Sequence, residues 1–257
     1  MEGKTSSVQS LDRVFLIIEL LSQYPKGVSL TELCIKSQLP KGTVSRMLSS
    51  LISHGYVVQN IDNKQYCLTM RLFEIGCRVV GGTSILAIAR PYLEHLSSTT
   101  QDTVHLVSRD HDEVVYLYKE EVTTSIVRMS SCVGLRNPMY CTGVGKSILA
   151  FLPEEEVLAI WQRTEIVQFT PNTIVNYDHL LKELECIRQR GYAVDDEEHE
   201  MSVRCIAAPI RDFNGTPIAA ISLSAHSDRL TNERIREYAP LLLAAAKNIS
   251  QYYGAHR

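Results

Sequence analysis

A two-residue break at Leu39-Pro40, with helical periodicity on either side, constrains this chain more than any other feature. Before the break, Ser29 stands three residues ahead of Glu32, the spacing of a capping box, and opens a helix through Leu33 and Ile35 to Gln38. After it, Val44, Met47, Leu48, Leu51 and Ile52 mark the apolar stripe of a helix from about Lys41 to His54, closed by Gly55. Upstream, Val8, Leu11, Val14, Phe15, Ile18 and Leu21 predict a first helix that runs to Tyr24 and stops at Pro25-Lys26-Gly27. Downstream, Tyr56-Val57-Val58-Gln59 and Gln65-Tyr66-Cys67-Leu68 are β-prone segments around an Asx-rich turn, the pattern of a hairpin. Helix, helix, turn, helix, hairpin is the order of a winged helix-turn-helix, over residues 8–70, with the paired helices at about 29–54 and the wing at 56–68.

A helix that reads DNA buries one face and offers short polar and cationic groups to the major groove. The outward positions of the third helix are Lys41, Thr43, Ser45, Arg46, Ser49 and Ser50. Lys41 suits a phosphate, Arg46 can fork onto guanine, and Thr43 and Ser45 can meet bases or phosphates. Asn63 and Lys64 at the hairpin tip suit a wing lying along the backbone. A three-helix protein-contact module with a solvated polar face fits the same pattern. Charge favours DNA: residues 1–80 hold nine Lys/Arg against six Asp/Glu, whereas residues 81–257 hold seventeen against twenty-three.

Leu72 to Val80 predicts a further helix ended by Gly81-Gly82, so 71–82 is taken as an interdomain linker. Residues 83–254 then mix elements. Helices are expected at Ile85–Ser97, Val144–Leu152, Glu154–Gln162, His179–Arg190 and Thr231–Tyr252. Strands are expected near Thr103–Val107, Val114–Tyr118, Ile126–Ser130, Tyr192–Val194, Cys205–Ile210 and Ile218–Ser224. The fold class is α+β and multidomain. Seven cysteines, an odd number without CxxC spacing, argue for a reducing compartment. With neither a secretory h-region nor an apolar stretch of membrane-spanning length, the expectation is a cytoplasmic protein with no membrane partner.

The larger domain carries features of a small-anion site. Thr142-Gly143-Val144-Gly145 precedes a helix, where glycines let backbone N–H groups approach an anion, although close packing of the helix start explains them equally. Gly145-Lys146-Ser147 resembles the end of a P-loop, but the first glycine of that motif would fall at Tyr140, which excludes it. Ser222 and Ser224 share one strand face, turned either to a ligand or to solvent. The run Asp195-Asp196-Glu197-Glu198-His199-Glu200 and the group His105, Asp110, His111 and Asp112 raise the thought of a metal; the spacing supports none, and no cofactor is expected. No GxSxG or GxGxxG stands in a catalytic context, so a metabolic enzyme acting on a small organic acid remains the alternative and not the main reading.

Ordered matches across residues 8–254 carry a resemblance. They are Lys41-Gly42-Thr43-Val44-Ser45-Arg46-Met47-Leu48, Leu51, Gly55-Tyr56, Tyr66-Cys67-Leu68-Thr69 through Leu72, Glu74 and Gly76, Thr142-Gly143-Val144-Gly145-Lys146, Gly191-Tyr192 with Asp195 to Glu200, Arg204-Cys205-Ile206-Ala207 and Ala219 through Ser224. With these the chain resembles the IclR family of bacterial transcription regulators. Arg128-Met129, Gly134 and Arg136-Asn137-Pro138-Met139-Tyr140 are similar to its ketodeoxygluconate branch, which governs pectin and hexuronate catabolism. The resemblance implies a GAF/PAS-like α/β effector domain at 83–254. It implies a small carboxylate effector, an oxo-acid or sugar acid, held at Gly143, Val144, Asp195, Cys205, Ser222 and Ser224, with Met139 and Leu135 as apolar walls. It implies a double-stranded DNA operator as partner and a homo-oligomer, a dimer or dimer of dimers, most often repressing. Acid binding would then shift the paired reading heads through the Leu72–Val80 helix.

Overall fold

A computed structural model of the chain describes residues 8–82, 85–121 and 130–255. By its internal contacts the chain divides into two units, residues 1–82 and 83–257.

In the smaller unit, α1 (Gln9–Ser22), α2 (Leu30–Ser37) and α3 (Lys41–Ser53) precede an antiparallel pair, β1 (Val57–Gln59) and β2 (Tyr66–Leu68). The Ser29 hydroxyl accepts the Glu32 N–H at 3.2 Å, a cap worth about 0.5–2 kcal/mol. Gln38 then turns left-handed, Pro40 opens α3, and Gly55 (φ +76) ends it. Ile17, Leu21, Leu33, Val44, Leu48 and Val57 form the core of this unit. The α1 stripe comes out rotated from its expected face. Residues 14–18 are continuously apolar, so more than one side of the helix can be buried, and the structure chooses Ile17, Leu20 and Leu21. Val8, Leu11 and Phe15 are left more than half exposed. The last helix of this unit, α4 (Arg71–Gly82), runs through the two glycines expected to end it.

The larger unit is built on six described strands in the order β5-β4-β3-β8-β7-β6, every neighbour antiparallel. They are β3 (Thr103–Asp110), β4 (Glu113–Glu120), β5 (Arg136–Pro138), β6 (Ala193–Asp196), β7 (Val203–Arg211) and β8 (Pro217–His226). Strand alternation separates two cores. Ile206, Ala208, Ile210, Ile221 and Leu223 pack against α5 (Ile85–Thr100) and α9 (Asn232–Tyr252). Ala207, Ala220 and Cys205 face the other way, toward α6 (Gly143–Leu149), α7 (Glu154–Arg163) and α8 (Tyr177–Arg190).

Two expectations change. Strand β5 was not anticipated, since three residues ending in Pro138 carry little strand signal and belong at a sheet edge. β6 extends to Asp196, so Asp195 lies inside a strand instead of after one. The expected strand at 126–130 falls mostly outside the described residues.

Candidate DNA-reading helix and effector cavity

The apolar side of α3 is sealed: Val44 and Leu48 are at most 1% exposed. The opposite side presents Lys41, Ser45, Arg46 and Ser49 to solvent, with Thr43 half-buried. At the hairpin tip, Asn60 Oδ1 accepts the N–H groups of Asp62 and Asn63, which turns the chain and leaves Lys64 exposed with φ +57. Neither Lys41, Arg46 nor Lys64 has a carboxylate partner among the described residues. The hairpin is tied to α3, because the Tyr56 N–H donates to the Leu51 carbonyl at 2.9 Å and the Thr69 hydroxyl to the Gly55 carbonyl. Unpaired cations and short hydroxyls on a rigid, outward helix face are the chemistry that phosphate and base edges require.

In the larger unit, register assembles the second group. Asp195 stands opposite Cys205, and Cys205 opposite Ser224, so three neighbouring strands place these side chains on one rung of one face. The next rung carries Ala207, Ser222 and His105. In front of this face α6 begins, and its close approach depends on glycine. A Cβ on Gly143 would lie 3.1 Å from Cys205 Sγ, and one on Gly145 only 2.3 Å from Met139 Cα. The Thr142 hydroxyl caps the Gly145 N–H at 3.2 Å, while helix geometry gives the N–H groups of Gly143 and Val144 no acceptor within the helix. Gly143, Val144, Asp195, Cys205 and Ser224 line a cavity of about 50 Å³. His105, Tyr116, Asn137, Thr142, Val203 and the polar pairs Ser130-Ser131 and His199-Glu200 complete it.

Three expected residues lie outside the lining. Met139 does not line the cavity; it is buried beneath α6, where its backbone takes up the space that the missing Gly145 side chain leaves. Leu135, half-buried against the same core, does not line it either. Ser222 is 1% exposed and also outside the lining. Its hydroxyl lies 3.2 Å from His105 Nδ1, and His105 Nε2 lies 2.9 Å from the Ser131 hydroxyl. The group that this rung offers to the cavity is therefore His105, with Ser222 behind it. His105, Asn137 and Thr142 went unread as cavity residues; the one signal for His105 is a polar residue inside the apolar run Thr103–Val107.

The electrostatics of the cavity follow from burial. Burial, reinforced by the neighbouring Glu198 carboxylate and offset in part by Lys146, raises Asp195 to about 7. Burial, together with the Lys119 charge, lowers His105 to about 3, so its imidazole is neutral at ordinary pH. Burial, then the Asp195 charge, pushes the Cys205 thiol up to about 12. Such a thiol is not a nucleophile, and an imidazole so hard to protonate is a poor general base for Ser222.

A buried ion pair supports it. Lys146 is 0% exposed; its Nζ donates to the Val194 carbonyl at 2.7 Å and to Glu198 Oε1. The Glu198 N–H in turn donates to Asp195 Oδ1 at 2.8 Å. The P-loop-like lysine thus holds the acidic loop in place. The remaining carboxylates considered for metal are engaged elsewhere: Asp196 with Arg204, Asp110 with Arg136, Asp112 with Arg163, Glu200 with the Ser130 hydroxyl and Glu197 with the Ser202 N–H. Among the described residues no group of three or more His, Cys, Asp or Glu is placed to hold a metal ion. No described helix is long and apolar enough to cross a membrane.

Both units match known proteins. The IclR helix-turn-helix domain matches residues 10–60, and the bacterial transcriptional regulator IclR C-terminal domain matches residues 77–251. The HTH-type transcriptional regulator KdgR of Escherichia coli K12 is 36% identical over 256 residues, covering 100% of this chain and 97% of its own. The transcriptional repressor IclR of the same strain is 34% identical, covering 98% and 93%. The crystal structure of the Thermotoga maritima IclR superposes with a TM-score of 0.82 at 37% identity, covering 96% of this chain and 99% of that one. These relatives are regulators and not enzymes, which sets aside the enzyme alternative. The chain belongs to the IclR family of bacterial transcription regulators, and it binds DNA through its helix-turn-helix domain.

Proposed function

We propose that this regulator is a repressor whose operator affinity is set by a small hydroxylated organic acid in the larger domain. Lys41, Thr43, Ser45, Arg46 and Ser49 on α3, with Lys64 on the wing, contact a double-stranded operator. The acid's carboxylate is received by the N–H groups of Gly143 and Val144 and by protonated Asp195. Its hydroxyls meet Ser224, His105 and Asn137. One observation carries this reading: a cavity that opens beside free helix-start N–H groups, with the hydroxyls of Thr142 and Ser224, the His105 imidazole and the Asn137 amide in its lining. A short oxo-acid would leave those buried polar groups unmatched, at a cost of about 1–3 kcal/mol each.

Space couples binding to shape. About 50 Å³ admits a carboxylate head group, so a longer acid requires the Ser130-Ser131 and His199-Glu200 segments to move apart. The Ser130 hydroxyl donates to Glu200 Oε2 at 2.8 Å and would have to release it. An acid that prefers the released form shifts the equilibrium only by that preference. The exposed apolar strip of Val8, Leu11 and Phe15 supports assembly as a homo-oligomer, which a two-fold operator would match.

The test is a thermal-shift series on the full chain with 2-keto-3-deoxy-D-gluconate, D-gluconate and pyruvate, each repeated with Ser224→Ala. A sugar acid should raise the melting temperature more than pyruvate does, and Ser224→Ala should reduce the rise. Equal stabilisation by pyruvate, or a response indifferent to Ser224→Ala, overturns the reading.

A further inference from the structure

The rung that carries His105 continues one strand further. On β4 the residue opposite His105 is Lys119, so Lys119, His105 and Ser222 stand side by side on β4, β3 and β8. Both ring nitrogens of His105 are occupied: Nδ1 lies 3.2 Å from the Ser222 hydroxyl and Nε2 2.9 Å from the Ser131 hydroxyl. The two serines differ in kind. Ser222 is fixed by strand register and lies outside the cavity lining, whereas Ser131 belongs to no strand or helix and lines the cavity beside His105. The main chain of Ser131 is set in place by Lys119, whose Nζ donates to the Ser131 carbonyl at 2.9 Å. Among the described residues the Ser131 hydroxyl has no hydrogen-bond partner other than His105.

A neutral imidazole has one donor and one acceptor, and here both are engaged. A ligand can therefore bond to Nε2 only where the Ser131 hydroxyl now stands. The group best suited to that exchange is another hydroxyl. It can donate or accept, so it fits either tautomer of the ring, as Ser131 does. A carboxylate can only accept, and a methylene group can do neither. The Nε2 position is thus shaped for a hydroxyl, and the chain supplies one of its own.

We propose that Ser131 is a specificity-determining residue of the effector cavity, whose hydroxyl holds at His105 Nε2 the position that a hydroxyl of the acid takes on binding. This rests on the reading of the larger domain as the receptor of a hydroxylated acid. Its consequence is an internal competition. The bond that the acid gains at His105 is offset by the bond that Ser131 loses, so this hydroxyl adds little to affinity, and selection among acids falls to Ser224 and Asn137. Without the Ser131 hydroxyl, the bond from ligand to Nε2 no longer replaces one within the protein. It then favours a hydroxylated acid over one that lacks the hydroxyl, because selectivity is a difference of affinities.

Isothermal titration of the full chain and of Ser131→Ala tests it. The variant removes one hydroxyl at a half-buried position outside the sheet and helices, so the fold is kept. The probes are 2-keto-3-deoxy-D-gluconate or D-gluconate, whichever stabilises the chain more, and hexanoate, which has the same six carbons and no hydroxyl. Ser131→Ala should lower the Kd of the sugar acid about two- to tenfold, the effect of one neutral hydrogen bond, and bring hexanoate no such gain. The ring nitrogens of His105, followed by ¹⁵N resonance, give a second readout. In Ser131→Ala the Nε2 signal should leave its wild-type position, and the sugar acid should bring it back. An equal gain for both acids, or an Nε2 signal that the sugar acid does not move in Ser131→Ala, overturns the proposal. So does a Kd for the sugar acid that stays the same or rises in Ser131→Ala while the wild type binds it, and the effector reading then stands. Binding of the sugar acid by neither protein overturns both.

Discussion

The two units of this chain treat their polar side chains in opposite ways. On α3 the charged and hydroxyl groups are exposed, unpaired and held outward by a sealed apolar back of Val44 and Leu48. Beneath α6 they are buried, hydrogen-bonded and shifted from their ordinary acidities, as with Asp195, His105 and Cys205. The difference follows from the size of the partner. A duplex brings its own dense charge and meets side chains in water, so they need only a rigid platform and freedom from competing carboxylates. A small acid has few atoms with which to be recognised, so its site must exclude water and aim each donor in advance. Polar groups at the first site should therefore be nearly irrelevant to stability, whereas those around the second should be part of the fold.

The largest expected effect is at Lys146. Lys146→Ala leaves Glu198 buried without its cation and should destabilise the larger unit by about 3–5 kcal/mol in denaturant unfolding. A loss below about 1 kcal/mol would break the contrast, since the buried pair would then be as dispensable as a surface one. On the other side, Arg46→Ala should alter stability by no more than about 0.5 kcal/mol while weakening specific operator binding by about 1–3 kcal/mol. Anisotropy on an operator selected from a random duplex pool measures this. Lys64→Ala in the same assay should lower the salt slope by about one without changing sequence preference.

A smaller effect sharpens the comparison through pH. The folded value of Asp195, about 7, lies above its ordinary 3.8. Below 3.8 the carboxyl is protonated whether the chain is folded or not, and its stability contribution is fully present. As pH rises through about 7 the buried group ionises and that contribution is lost. A carboxylate ligand prefers the protonated form, so acid affinity should fall above pH 7 by up to about tenfold per unit. Asp195→Asn should flatten the profile, whereas DNA binding through α3 should not follow Asp195. Affinity that rises with pH would reverse the assigned role.

The smaller unit was legible because its signals are local. Ser29 with Glu32, Pro40, Gly55 and the Asn60–Lys64 turn each act within a few residues, and together they place α2, α3 and the wing. The α1 face was misjudged because five successive apolar residues satisfy more than one stripe, and packing against α2 and α3 decides among them. In the cavity, period-two alternation showed that Ser222 and Ser224 share a face. It could not show that His105, more than a hundred residues earlier, sits on the Ser222 rung and occupies its hydroxyl.

By itself the amino-acid order determined the helix-turn-helix, the outward row from Lys41 to Ser49, and the strand faces, because caps, breaks and side-chain periods are properties of short segments. Tertiary structure alone decided that Asp195, Cys205 and Ser224 form one rung, that Gly145 yields its space to Met139, that Lys146 is buried against Glu198, and that Ser131 meets His105. Those facts depend on strand register and on which polar groups pair, and both are settled only when distant segments pack.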